Sequence, residues 1–181
     1  MGQPKALLSY RGVTFLQHLL DVTRHPRVGP QLVVLGAGEE NIRSHFSASA
    51  AQIVLNSNWS RGQLSSIQSA VRHLVPMEVE GMILCPVDHP LVSALLIHSL
   101  VRAFDTSQKS IIVPVHGRRR GHPVIFRSNL FDELLAASDD VGAREVVRAH
   151  PGDIQEVETA EEGVLLNLND PDTLHRALGK S

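Results

Sequence analysis

The chain reads as an α/β domain built on a mostly parallel sheet, and three observations predict this. Short apolar runs alternate with segments of helical period along the whole sequence. Several of the runs are apolar at consecutive positions, as in strands covered on both faces. No internal repeat, low-complexity tract or long linker divides the 181 residues, so residues 1–181 are expected to form one domain with a substantial core.

Composition excludes several classes. Hydrophobic residues make up 43% of the chain, ordinary for a globular protein. A formal net charge of -2 gives no broad pull toward nucleic acid or an acidic membrane surface. Cys85 is the only cysteine, which excludes an internal disulfide and a multi-cysteine zinc site. Its place in an apolar run points to a buried, inert thiol. No secretory leader opens the sequence and no apolar run reaches membrane-spanning length, so a cytoplasmic location is expected. The histidines are scattered, without the paired helical spacing of a zinc protease.

In chain order, Met1-Gly2-Gln3-Pro4-Lys5 is a tight loop carrying one positive charge. Phe15, Leu16, Leu19 and Leu20 then set a helix, with Thr14 as its cap and Pro26 beyond its end. Residues 31–35 predict a buried strand, and residues 39–46 a polar helix after Gly36-Ala37-Gly38. Those glycines lack the third member of a dinucleotide fingerprint, so a plain strand-to-helix turn is the better reading. A strand at 52–55 leads to the polar loop Asn56-Ser57-Asn58-Trp59-Ser60-Arg61-Gly62. Leu64, Ile67, Ala70, Val71 and Leu74 trace the next amphipathic helix, with Ser65 and Ser66 in its first turn. There the hydroxyls either cap the helix or join its free N–H groups in meeting a ligand.

The organising stretch follows. Met82-Ile83-Leu84-Cys85 is a buried strand that stops at Pro86-Val87-Asp88-His89-Pro90, and Leu95, Leu96, Leu100, Val101 and Phe104 then share a helical face. In an open parallel sheet, chemistry sits beyond the carboxyl ends of strands, where Asp88 falls, and flanking prolines stiffen its loop. Two readings stand: a carboxylate holding Mg²⁺ against the phosphates of a nucleoside triphosphate, or the N-cap of the following helix.

Residues 110–115 form a further buried strand, ahead of His116-Gly117-Arg118-Arg119-Arg120-Gly121-His122-Pro123 and the apolar Val124-Ile125-Phe126. The arginine run is a cationic, hairpin-like loop, suited to an anionic substrate or simply to solvent. Residues 129–137 are helical, and a helix capped by Asp140 continues through Val147. Strands at 154–157 and 164–168 and a helix at 171–178 close the chain.

Taken in order, these segments resemble the nucleotidyltransferase family that includes molybdenum-cofactor cytidylyltransferase and guanylyltransferase. Met1-Gly2-Gln3-Pro4-Lys5 is similar to the end of the family's phosphate loop, Asn56 through Ser66 to the nucleotide segment, and Pro86-Val87-Asp88-His89-Pro90 to the metal loop. Gly121-His122-Pro123 and Asp140-Val141-Gly142-Ala143-Arg144 resemble the cytidylyltransferase branch more than the guanylyltransferase one. Asn167-Leu168-Asn169-Asp170-Pro171 resembles the closing motif, with asparagines in place of aspartates.

The resemblance implies a three-layer Rossmann-like fold of the nucleotide-diphospho-sugar transferase type. It implies Mg²⁺-dependent transfer of CMP from CTP to a phosphate monoester, such as molybdopterin, with release of pyrophosphate. Lys5 and Asp88 would be catalytic, and Gly2, Lys5, Asn56, Gly62, Ser65, Ser66 and Asp88 would bind the nucleotide. Arg118, Gly121, His122 and Pro123 would face the acceptor, and Asp88 with Asn169 the metal; a molybdoenzyme is the implied protein partner. The family opens with a buried strand and a Leu-Ala-Ala-Gly turn that do not precede Met1 here. The resemblance therefore implies a domain shortened at its amino end, a sheet without its first strand, and a reading frame that continues upstream. Rival readings are an inactive nucleotide-fold binding protein and a nucleotidyltransferase for another phosphorylated acceptor.

Overall fold

The computed structural model describes residues 4–45 and 51–168. The expected helix at 171–178 therefore lies outside the described residues. After a 3₁₀ turn at Lys5–Leu7, strands β1 (Ser9–Tyr10) and β2 (Val13–Thr14) form a hairpin around Arg11 and Gly12, both at positive φ. Two left-handed residues give the turn the twist that a two-residue hairpin needs. The sequence reading passed over it because the strands are too short to show periodicity. Helix α1 (Phe15–Val22) starts where expected, with Gln17 N–H donating to Thr14 Oγ1 at 3.1 Å.

Strand β3 (Leu32–Leu35) leads through Gly38, at φ 70°, into the short α2 (Glu39–Ser44). β4 (Gln52–Leu55) pairs parallel with β3, and α3 (Gln63–Leu74) follows a single 3₁₀ turn at Trp59–Arg61. β5 (Gly81–Leu84) precedes α4 (Ala94–Thr106), and β6 (Ile111–His116) precedes β7 (Arg119–Arg120) and β8 (Val124–Arg127). α5 (Phe131–Ala136), α6 (Arg144–Ala149) and β9 (Ile154–Glu158) complete the elements.

The sheet is mixed where a mostly parallel one was expected. β8 lies antiparallel between β5 and β6, while β9 runs parallel to β6 on its other edge. The physical reason is the tight turn at Gly117 and Arg118, both at positive φ, which sends the chain straight back along β6. Two antiparallel pairings in series leave β5, β6 and β9 pointing the same way, so their carboxyl ends share one edge.

Side chains alternate across this sheet as the two-residue period requires. Ile111, Val113, Val115, Val124 and Phe126 pack beneath Leu64, Ile67, Val71 and Leu74 of α3 and Phe131 and Leu134 of α5. Ile112 and Ile125 point the other way, onto Leu19 of α1 and Leu96 and Leu100 of α4. Helices therefore cover both faces, the expected three-layer arrangement. Gln68, almost fully buried, donates from Nε2 to the carbonyls of Leu134, Leu135 and Ala137, tying α3 to the end of α5.

Two smaller expectations are corrected. Residues 164–168 are not a strand: a 3₁₀ turn at Glu162–Leu165 takes up their first two residues, and the backbone after it joins no ladder among the described residues. Asp140 does not cap α6, whose preceding residue is Ala143 without a side-chain cap. Among the described residues, β3 and β4 form a two-stranded unit with no hydrogen-bonded ladder to the five-stranded sheet.

Leu100 is fully buried between α4 and the sheet. Leu100→Ala is expected to lower unfolding free energy by about 2–5 kcal/mol in urea titration, through lost transfer energy and a residual cavity.

Candidate functional site

The shared carboxyl edge of β5 and β6 is where sequence and fold converge. Asp88 lies past β5, and the helix that follows is capped by another residue: Leu96 N–H donates to Ser93 Oγ at 3.1 Å. Ser93 is held in turn by Glu161, whose Oε2 accepts from the Ser93 N–H at 3.0 Å. The capping reading of Asp88 therefore fails. Its side chain instead accepts at Oδ2 from Asn167 Nδ2 at 2.9 Å, and its carbonyl accepts from Leu168 N–H at 2.8 Å.

The returning chain brings a second group to this point. Ile112 pairs with Ile125 and Val115 with Arg120, so residues 113–114 of β6 face the four residues 121–124. This excess forms a bulge at Gly121-His122-Pro123, anchored by Gly121 N–H to the Pro114 carbonyl and His122 N–H to the Val164 carbonyl, both at 2.9 Å. Gly121 lies against the Val164 carbonyl, where a Cβ would come within 2.4 Å of its oxygen, so a side chain is excluded. The His122–Pro123 peptide is cis.

The bulge sets the His122 ring 4.6 Å from that of His89, centroid to centroid. Nδ1 of each imidazole is buried without a hydrogen-bond partner among the described residues, and so is Oδ1 of Asn167. These three atoms lack partners among the described residues, so a polar ligand beside Asp88 could satisfy them. Burial, then the neighbouring His89 charge, holds the His122 pKa down at about 4, with Asp88 opposing and Arg144 adding to the depression. Burial also lowers His89, against the pull of Asp88. Both rings are therefore neutral near pH 7.

Beside this cluster lies the start of α3. Asn56 is almost fully buried, donating from Nδ2 to Ser65 Oγ at 2.8 Å and Ser66 Oγ at 3.0 Å. Its Oδ1 accepts from Asn58 N–H at 2.9 Å, and Ser65 Oγ donates to the Gly62 carbonyl at 2.8 Å. Gly62 takes φ 100° at this junction, a conformation suited to glycine. One side chain thus fixes loop and helix start together. Lys5, Gln63, Ser66 and Asp88 all line a cavity of about 830 Å³, so three separate segments reach it.

Other candidates stand apart. Arg118 occupies the exposed tip of the β6–β7 turn without a partner among the described residues, while Arg120 is tied to Glu156 at 2.7 Å. Gly2 and Asn169 lie outside the described residues. Residues the sequence reading passed over are His89, Asn167 and the Arg61–Asp139 pair, joined at 2.7 Å across from the α3 start. His89 and Asn167 stood inside quoted motifs, yet only the fold shows them meeting at Asp88. The Cys85 thiol is half-buried rather than fully buried, and desolvation pushes its pKa up to about 12, which keeps it protonated near neutral pH.

Among the described residues, no three His, Cys, Asp or Glu side chains are grouped to hold a metal ion. Asp88, oriented by Asn167, fits a different type of site, in which one or two protein oxygens share a divalent ion with substrate phosphates. Among the described residues, no helix is long and apolar enough to cross a membrane.

The sequence profile of the MobA-like NTP transferase domain matches residues 1–154. The chain belongs to that family. A nicotine blue oxidoreductase of Paenarthrobacter nicotinovorans is 26% identical over 97% of this chain and 88% of its own length. A probable molybdenum cofactor guanylyltransferase of Bacillus cytotoxicus is also 26% identical, over 77% of this chain and 68% of its own. The crystal structure of Rv0371c from Mycobacterium tuberculosis superposes with a TM-score of 0.86 at 25% identity, covering 99% of this chain and 90% of that one. Its manganese complex superposes at 0.82 with 24% identity, over 98% and 92% of the two chains. The MobA-like domain described here thus has the α/β nucleotidyltransferase fold, in a family that acts on nucleoside triphosphates.

His122 supplies a pH test. Its folded pKa, about 4, lies below the ordinary 6.5, so the unfolded chain binds the extra proton more readily. Stability is then full above about pH 6.5 and falls as pH drops toward 4, by up to about 3 kcal/mol. His122→Gln is expected to flatten most of that slope in urea titrations run from pH 7 to pH 4.

Proposed function

We propose that this MobA-like domain transfers a nucleotidyl group from CTP to a phosphorylated small molecule, molybdopterin being the favoured acceptor, with Mg²⁺ as the ion. The observation that carries this reading is Asp88. It caps no helix, it lies beside polar atoms without partners among the described residues, and it lines one cavity with Lys5 and the start of α3. The manganese complex of the mycobacterial relative supports a divalent ion in this fold.

In the proposed reaction an anionic oxygen of the acceptor's phosphate monoester attacks the α-phosphorus of CTP. The bond from that oxygen to phosphorus forms as the bond to the bridging oxygen breaks, and pyrophosphate leaves with the electron pair. Alignment and charge neutralisation carry the rate, because the protein forms no covalent intermediate. Lys5 holds phosphate oxygens as a point charge. Asp88 takes the ion, with Asn167 orienting its carboxylate and Asn169 as a further oxygen ligand. When bound, the ion neutralises phosphate charge and fixes the geometry of the α-phosphate. Gly2, Asn56, Gly62, Ser65 and Ser66 shape the nucleotide side, and the N–H groups opening the twelve-residue α3 favour an anion. His122, neutral and unpartnered at Nδ1, faces the acceptor with Gly121 and Pro123, while Arg118 attracts acceptor phosphate from the turn.

The preference for CTP rests on Gly121-His122-Pro123 and Asp140-Val141-Gly142-Ala143-Arg144, in which Arg144 lies close enough to His122 to depress its pKa. The relative named a guanylyltransferase makes GTP the competing donor. Competition binding with the four triphosphates decides between them: CTP is expected to displace a labelled triphosphate at the lowest concentration, and a clear GTP preference would reverse the assignment.

Asp88→Asn is expected to remove the Mg²⁺ dependence of triphosphate binding in calorimetry while leaving the urea midpoint nearly unchanged. Ser93→Ala should do the opposite, costing about 1 kcal/mol of stability with metal dependence retained. Asn167→Ala should weaken the ion about 10–100-fold, as loss of an orienting partner does.

A further inference from the structure

Asp88 lies near the start of a loop that has little means of fixing itself. Pro86 and Pro90 offer no amide donors. Within the loop, His89 N–H donates to the Pro86 carbonyl at 3.0 Å and Val92 N–H to the Pro90 carbonyl at 2.9 Å, two isolated turns. What holds the loop arrives from residues 161–168, which run past it in the opposite direction. Leu168 N–H donates to the Asp88 carbonyl at 2.8 Å, Gly163 presses on Leu91 where a side chain has no room, and Glu161 meets Ser93. Each step forward along the loop thus meets a step back along the segment.

Glu161 makes the contact at the far end. Its Oε2 accepts from Ser93 N–H at 3.0 Å and its Oε1 from the Ser93 hydroxyl, whose oxygen in turn accepts from Leu96 N–H at 3.1 Å. Both carboxylate oxygens are committed to one residue. The carboxylate is itself referred to the sheet. Glu161 N–H donates to Thr159 Oγ1 at 3.1 Å, and Thr159 N–H to the Val115 carbonyl of β6 at 2.9 Å. Val164, fully buried, gives its carbonyl to His122 N–H.

A helix cap alone does not require this arrangement. Ser93 Oγ satisfies Leu96 N–H without help, and a carboxylate favours a helix dipole from many places around the first turn. A two-point grip on the residue just outside α4 fixes instead where the loop ends. We propose that Glu161 is a positioning residue for Asp88. It pins the loop at Ser93 while Asn167 and Leu168 pin it at Asp88, so the carboxylate is aimed before an ion arrives. This role rests on the reading of Asp88 as the ion-binding carboxylate.

Two measurements on the full chain separate positioning from capping. The first needs no ligand: amide exchange at Leu168, whose N–H bonds to the Asp88 carbonyl, read by NMR. Glu161→Ala is expected to speed it about tenfold, and Ser93→Ala, which keeps the backbone N–H that Glu161 Oε2 accepts, to leave it unchanged. The second is the ratio of affinities for inorganic tripolyphosphate with and without Mg²⁺, read by calorimetry. Wild type and Ser93→Ala are expected to share one ratio, and Glu161→Ala to lower it about tenfold. Glu161→Gln, which keeps one acceptor oxygen, should fall between them and covers the case in which the alanine variant does not fold. Unchanged Leu168 exchange or an unchanged ratio in the Glu161 variants would leave Glu161 a support of α4 only and overturn the proposal. A wild-type ratio of one would remove Asp88 as the ion ligand, and the positioning role with it.

Discussion

The ladder between β5 and β8 is the constraint on which the rest of the site depends. Gly81 through Leu84 are paired residue by residue with Val124 through Arg127, so β5 ends opposite the start of β8. Chain leaving β5 toward Asp88 therefore meets chain arriving at β8 through His122. A bulge of extra residues at that point has nowhere to go but toward the Asp88 loop, and the His89–His122 contact follows. Gly121, tight against Val164, and Gly163, tight against Leu91, bring the 3₁₀ segment in from the side, so that Asn167 closes on Asp88. The carboxylate is thus held by three segments far apart in sequence, each set by backbone pairing or by a close approach only glycine permits.

Such rigidity bears on the electrostatics. A carboxylate accepting one hydrogen bond at Oδ2 keeps acceptor capacity for a cation. The two imidazoles beside it are kept neutral by burial, which removes like-charge competition with an incoming ion and leaves polar atoms for a ligand. Burial of unpaired polar atoms is costly. Among the described residues these atoms lack partners, a cost that polar groups of a ligand would relieve at the proposed site.

Much of this was legible in the sequence, and the remainder was not for definite reasons. The apolar runs at β3, β4, β5 and β6 and the helical faces of α1, α3 and α4 carry enough period to be read directly. Asp88 was identified by position alone, at the end of a buried strand between prolines. The return of β8 against β6 was missed because pairing direction is fixed by the turn at Gly117 and Arg118, and Arg118 has no obvious preference for positive φ. The same limit hid the β1–β2 hairpin, where Arg11 does likewise. His89 and Asn167 lay in view as letters, but contacts across 79 residues, as between Asn167 and Asp88, leave no periodic trace.

The placement of Lys5 relative to Asp88 rests on a different footing. Lys5 belongs to the part of the molecule built around β3: Ala6, Leu16, Leu20, Val33 and Leu35 form one cluster, which touches the Asp88 loop through Val87. Asp88 belongs to the five-stranded sheet. Among the described residues, no backbone ladder joins the two sheets. Their alignment is carried instead by α1, whose Leu16 and Leu20 face one sheet and Leu19 the other, and by His18, within 3.1 Å of the Val92 carbonyl. The exposed Arg27 contacts to Asp105 and Glu80 add little, since solvent screens them. Side-chain packing tolerates sliding that a ladder of directional hydrogen bonds does not, and a phosphate-binding pair needs its charges fixed to within a fraction of an ångström. The precision of the proposed Lys5–Asp88 pair would therefore depend on the packing that holds the β3 sheet against the five-stranded one.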